Sequence, residues 1–227
     1  VCGAVLFDLA IGTHAVRPDK KMGYQACLNT DDPECAEGSV GAGTGATVGK
    51  ILGMERCMKS GLGIYCLQAG DLKIGAVVAV NCLGDVIDPK TGEILAGVLD
   101  ENKKSFINSE EVMVKEFAGR KIEFGGNTTI GVIATNAELA KSELNKVASM
   151  AHNGYGRTMR PAHTMLDGDT IFAVTTGKVK ADVNVVGLLA ARIMEQAVIR
   201  AVKKATPLCG FKSYSDCASR SLQNDPF

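Results

Sequence analysis

The chain of 227 residues is 46% apolar and 22% charged, with 25 basic against 25 acidic side chains and no tryptophan. That balance excludes a disordered chain, and a formal charge of zero leaves no electrostatic footprint for nucleic acid or an anionic membrane. The longest purely apolar run, Ala76 to Val80, is far too short to span a bilayer.

Residues 1–9 (VCGAVLFDL) read as a buried strand, apolar up to Asp8. The chain opens on Val1-Cys2-Gly3 without methionine inside that strand, so a natural start is expected upstream. Pro18 suits the first turn of a helix over DKKMGYQACLN. Residues 30–49 are rich in Gly, Ala, Ser and Thr and are expected to form a flexible loop. Strands are expected at 63–69 and 72–81, joined as a hairpin through Gly70-Asp71. Residues 89–121 are charged and weakly periodic and read as a surface excursion with one helix.

Another strand is expected at 128–135, then a helix of about four turns from Ala137. Its apolar residues Leu139, Ala140, Leu144, Val147, Ala148 and Ala151 recur at helical spacing, and Gly154 or Gly156 is expected to end it. A strand at 171–177 precedes a helix over 184–204 that is apolar nearly all round, hence buried against a sheet or a partner chain. The tail after Pro207 is polar and expected to be loose. No linker divides the chain, so a single layered domain of sheets and helices is expected over 1–227.

Eight cysteines (Cys2, Cys27, Cys35, Cys57, Cys66, Cys82, Cys209, Cys217) form no C-x-x-C pair, and none stands beside His14, His152 or His163. They are expected to be reduced and mostly to serve packing, with no metal site. No signal peptide is visible, which favours the cytoplasm.

The run Gly41-Ala42-Gly43-Thr44-Gly45-Ala46-Thr47-Val48-Gly49-Lys50 formally matches the dinucleotide fingerprint. No strand pattern precedes it, no acid stands at 59–64, and Ile51 replaces the hydroxyl that a phosphate-binding loop needs. It is either a mobile loop with Lys50 in solvent or a close-approach loop that directs Lys50 into a site. Gly125-Gly126-Asn127-Thr128-Thr129 is a turn feeding a strand, and it also contains a glycosylation pattern. Chemically, a flexible Gly-Gly-Asn segment can bring the Asn127 carbonyl to the Thr128 hydroxyl for an N-to-O acyl shift. Hydrolysis of that ester would make Thr128 an N-terminus, whose amine, with a pKa of about 7.7–8.0, can serve as base to its own hydroxyl. Asp167-Gly168-Asp169 is a plain turn or a pair of acids able to hold an ammonium group. His163 is a structural histidine or a general base, and Asn81 begins a turn or points its amide at an oxyanion.

In this order, AVLFDL, the loop ending in Gly49-Lys50, VVAVNCLGDV, GGNTTIGVIATNA and HTMLDGDTIFAVTTG resemble the self-cleaving N-terminal-nucleophile hydrolases. That group includes the L-aminopeptidase/D-esterase, the β-peptidyl aminopeptidases and the nylon-oligomer hydrolase, and the similarity runs from about Gly3 to Ala205. The resemblance implies an α+β fold, a four-layer αββα sandwich, begun here after the family's N-terminal segment. It implies cleavage between Asn127 and Thr128 into pieces 1–127 and 128–227, with Thr128 as nucleophile. Lys50 matches the family lysine near the nucleophile, Asn81 the oxyanion asparagine, and Asp167 and Asp169 the acidic pair. Phe7 stands where relatives carry an active-site tyrosine, keeping a ring for substrate contact without the hydroxyl. The implied activity is hydrolysis of small peptides or amides through an acyl-enzyme, by a homo-oligomer of processed units without a cofactor. A threonine-nucleophile acyltransferase of the ornithine acetyltransferase kind and an inactive truncated paralogue are the alternatives.

Overall fold

Two alternating apolar segments and a tight turn build the centre of the molecule. In the computed structural model, which describes residues 3–31, 35–116 and 126–221, β3 (Leu62–Ala69) and β4 (Leu72–Ala79) pair antiparallel around Gly70, whose φ of +59° suits the turn. They follow α1 (Lys20–Leu28), capped by the Asp19 carboxylate on the Met22 N–H, and the short β1 (Thr47–Val48) and β2 (Met58–Lys59), which pair with each other. Downstream come β5 (Asp85–Ile87), β6 (Ile94–Ala96), α2 (Ser109–Glu116), β7 (Ile130–Ala137), α3 (Lys141–Thr158) and β8 (Met159–Arg160). The chain ends with β9 (Thr170–Val179), α4 (Val183–Lys203) and α5 (Tyr214–Ser221).

The main sheet has the order β3-β4-β7-β9, antiparallel except for the β7–β9 pair. One face (Ile74, Ala76, Val78, Ile133, Ile171) is buried under α3 and α4. The small sheet β6-β5-β8 extends the same core through Val86, Leu95 and Met159. The other face carries Ile64, Val77, Val132 and Phe172 in one row, with Cys66, Ala134 and Val174 in the next. There Val77 is 39% and Val174 52% exposed. The described residues thus build a mixed α+β fold with a helical layer on one side of its main sheet.

Several expected elements shift for identifiable reasons. Residues 3–8 form no strand, and Val1-Cys2 lie outside the described residues. β4 ends at Ala79, two residues early, although single backbone bonds continue past it: the Val80 N–H donates to the Gly61 carbonyl and the Asn81 carbonyl accepts from the Thr128 N–H. The 137-start of the helix moves to Lys141, since Ala137 stays paired with Val179 and the Glu138 N–H donates to the Val179 carbonyl. Neither Gly154 nor Gly156 ends α3. A Cβ at Gly154 would stand 2.7 Å from the Ala191 carbonyl oxygen, so this glycine lets α3 and α4 touch backbone to backbone.

The Gly-rich loop is not a flexible element. Gly43 and every residue from Gly45 to Lys50 are buried. Nor is the tail loose over its described part: Tyr214 and Cys217 of α5 pack against the core. Of the seven described cysteines, Cys57 and Cys82 are buried, whereas Cys27, Cys35, Cys66 and Cys209 are exposed. Cys2, Gly125, the acidic stretch 32–34 and the end of the 89–121 excursion lie outside the described residues.

Candidate active site

Strand register, a property of the whole sheet, assembles the site. Extending the Ala79–Ile130 pairing by two residues sets Asn81 opposite Thr128, and the Thr128 N–H donates to the Asn81 carbonyl at 3.0 Å. Extending the parallel Ile130–Thr170 pairing by two sets Gly168 on the other side of Thr128, next to the bridge between Asn127 and Asp167. The alternation that puts Val132 and Ile130 on the open sheet face puts half-buried Thr128 there as well.

Two donors converge on the Asn127 carbonyl oxygen: the Thr128 hydroxyl at 2.6 Å and the Gly168 N–H at 2.8 Å. Both polarise the carbonyl of the Asn127–Thr128 bond, and the amide is aimed where negative charge develops on attack. A Cβ at position 168 would lie 2.8 Å from Thr128 Oγ1, so glycine is what admits this approach. Gly126, with φ +120°, lies against the Phe7 ring, and a Cβ there would come within 2.8 Å of the ring carbon Cδ1.

Asn81 is nearly inaccessible and fully engaged. Its Nδ2 donates to the Gly126 carbonyl at 3.0 Å and the Phe7 carbonyl at 3.4 Å. Its Oδ1 accepts from Lys50 Nζ at 2.8 Å and the Thr47 N–H at 3.1 Å. Lys50 Nζ also donates to the Asn81 carbonyl at 3.0 Å, and so touches the same oxygen as the Thr128 N–H. Lys50 is 4% exposed, which overturns its solvent reading. Burial pulls its ammonium down to about 8, against a smaller opposing pull from Asp167.

The acids are tied into the turn. Asp167 accepts from the Leu83 N–H at 3.1 Å and the Thr164 hydroxyl at 2.6 Å. Asp169 accepts from the Thr129 N–H at 3.1 Å, and His163 Nδ1 lies 3.0 Å from its other oxygen. Burial and the neighbouring Asp167 push the Asp169 carboxyl above the usual range. The structure therefore gathers Phe7, Lys50, Asn81, Asn127, Thr128, Asp167 and Asp169 around one bond. Sequence reasoning missed the Gly168 amide, the Asn81 carbonyl and the buried Lys59, described below. The first two are backbone groups that no residue name announces, and Lys59 reads as an ordinary surface lysine.

Among the described residues no group of three His, Cys, Asp or Glu side chains is arranged to hold a metal ion. None of their helices is long and apolar enough to cross a membrane.

The fold defines a class first. A solved L-aminopeptidase D-Ala-esterase/amidase from Ochrobactrum anthropi, described as a variant of the N-terminal-nucleophile hydrolase fold, superposes with a TM-score of 0.53 at 20% identity. The match covers 83% of this chain and 53% of that one, and it shows the fold. Residues 1–215 match peptidase family S58, and the chain belongs to that family. An uncharacterized aminopeptidase of Mycobacterium leprae is 38% identical over 94% of this chain and 64% of its own length. The 6-aminohexanoate-oligomer endohydrolase of a Kocuria species is 32% identical over 89% of this chain and 61% of its own. The chain thus spans somewhat under two thirds of the length of these relatives.

Proposed function

We propose that the chain cuts itself between Asn127 and Thr128 and then hydrolyses small peptides or amides with Thr128 as N-terminal nucleophile. The observation that carries the reading is the convergence of the Thr128 O–H and the Gly168 N–H on the carbonyl between the two residues. In the first step Thr128 Oγ1 bonds to the Asn127 carbonyl carbon while the C–N bond breaks and the leaving nitrogen takes up the proton. Water then hydrolyses the ester, leaving an Asn127 carboxylate and a Thr128 with a free amine.

That amine stays within reach of the Asn81 carbonyl, its present partner, and takes the hydroxyl proton as Thr128 attacks a substrate amide. Cleavage would also release the Asn81 Nδ2 from the Gly126 carbonyl, freeing it for the substrate oxyanion. Lys50, lowered to about 8, sets the charge beside Asn81. Asp167 and Asp169 fix the turn that presents the Gly168 amide. Phe7 borders the cut bond and offers an apolar contact to substrate. The family relatives named aminopeptidase and oligomer endohydrolase support amide hydrolysis. A cytoplasmic homo-oligomer of processed units completes the reading.

Intact-mass measurement of the wild type beside Thr128→Ala tests it. The wild type should give pieces of 127 and 100 residues within this sequence, and the variant one uncut chain. An uncut wild type that still hydrolyses peptides would overturn the mechanism. Transfer of the acyl group to an added amine in preference to water would favour the acyltransferase alternative.

A further inference from the structure

We propose that Lys59 is a positioning residue: its ammonium is the internal cation of a three-carbonyl cage that holds the Gly43–Lys50 loop in the shape that grips Asn81. Lys59 is 0% exposed, unusual for lysine, and its Nζ donates to the carbonyls of Gly43 at 2.7 Å and Ala46 at 2.9 Å, and to that of Ser60. An ammonium has three donors and no acceptor, so three carbonyls satisfy it fully. Among the described residues no carboxylate lies within ion-pairing distance of it. The arrangement is that of a monovalent cation held by backbone oxygens, with the cation tethered to the chain.

The cage leads directly to the site. Ala46, whose carbonyl caps Lys59, precedes Thr47, whose N–H donates to Asn81 Oδ1. Lys50, four residues beyond the cage, donates to the same atom. The loop has little slack elsewhere: a Cβ at Gly43 would stand 2.2 Å from the Leu62 nitrogen and 2.5 Å from the Gly38 carbonyl oxygen. Lys59 itself is fixed by its own N–H on the Lys212 carbonyl at 2.7 Å. Burial lowers its ammonium to about 8, with Asp8 pulling the other way. Among the described residues the groups its ammonium meets are the carbonyls of Gly43 and Ala46 in the loop and of Ser60 beside it, so the charge is spent on the backbone there.

The effect on hydrolysis rests on the function proposed above, whereas the cage itself does not. Lys59→Ala removes the ammonium and leaves its channel, and n-propylammonium replaces what was removed. Thermal midpoints are therefore measured in the Thr128→Ala background, where no processing or catalysis contributes. The Lys59→Ala midpoint should fall, rise with propylammonium chloride, and respond less to sodium chloride or propan-1-ol at equal concentration. In the active chain, kcat should drop about 10²-fold with KM little changed, because a loop displaced by about 1 Å costs that much. Propylammonium should restore part of it, and Lys59→Arg should retain more activity than Lys59→Met. If Lys59→Ala does not fold, its refolding yield should depend on the amine. Rescue by propan-1-ol equal to that by the amine, no amine dependence of midpoint or yield, or a Lys59→Met protein indistinguishable from wild type would each overturn the proposal.

Discussion

Lys50 and Lys59 stand nine positions apart on the two sides of one buried loop, and both are lowered to about 8 by burial. Their partners differ. Lys50 reaches the side chain and carbonyl of Asn81, which in turn touches the segment around Thr128. Among the described residues Lys59 Nζ reaches backbone carbonyls alone. The contrast separates a charge that faces Asn81, one of the groups proposed to act in the reaction, from one that fixes the shape around it. Equal burial and equal shift do not distinguish the two. Only the identity of the acceptors does.

The sharpest way to break this contrast is to exchange charge for shape. Lys50→Met should lower peptide hydrolysis about 10²–10³-fold, the range for losing one polar stabilising group in an active site. Its thermal midpoint should stay close to wild type, since an apolar side chain of similar volume replaces a buried cation. Steady-state kinetics beside a thermal melt checks both halves, and a large fall in the midpoint would assign Lys50 to architecture. Gly168→Ala pushes a methyl group against the Thr128 hydroxyl, and self-cleavage followed by mass spectrometry should slow about 10–10²-fold. Unchanged cleavage would show that the close approach of residue 168 to the Thr128 hydroxyl is not needed.

Lys59→Met should act on stability, lowering it by about 1–3 kcal/mol as read from urea unfolding, because the Ser60 carbonyl loses its ammonium donor while those of Gly43 and Ala46 keep only backbone donors. The smallest effect concerns pH. Each folded lysine releases its proton near pH 8, while the unfolded chain holds it to about 10.4, so above pH 8 unfolding takes up protons and stability rises with pH. Cys57, raised by burial to about 11, acts with the opposite sign above its ordinary value near 9, which confines the clear window to about pH 8–9. Across it each lysine should contribute about 1 kcal/mol, and either Lys→Met change should remove its own share of the slope. A flat profile in the wild type would show that neither ammonium is lowered.

How much could be read beforehand follows the range of each interaction. The β3–β4 hairpin is local, and its alternation around Gly70-Asp71 is legible because both partners lie within a few residues. The apolar character of α4 is equally legible, although the all-round pattern hides that Val185 and Leu188 stand exposed. Gly154 misleads, because a glycine near the end of an apolar pattern resembles a helix stop until α4 is seen against it. The loop at 41–50 misleads in the same way: its small residues suggest freedom, whereas they permit burial around Lys59. At the site, Thr128, Asn81, Lys50 and the two acids were reached through ordered blocks of resemblance. The carbonyl and amide groups between them were not.

The sequence alone determined the alternation of the strands, the apolar helices and the Asn127–Thr128 bond with a hydroxyl directly after it, because each is a property of neighbouring residues. The tertiary structure decided that Asn81, Thr128 and Gly168 stand in one row and that Lys59 is caged by carbonyls. Register across three strands and the closure of a loop over a buried cation join residues far apart in the chain, through backbone atoms that every residue shares.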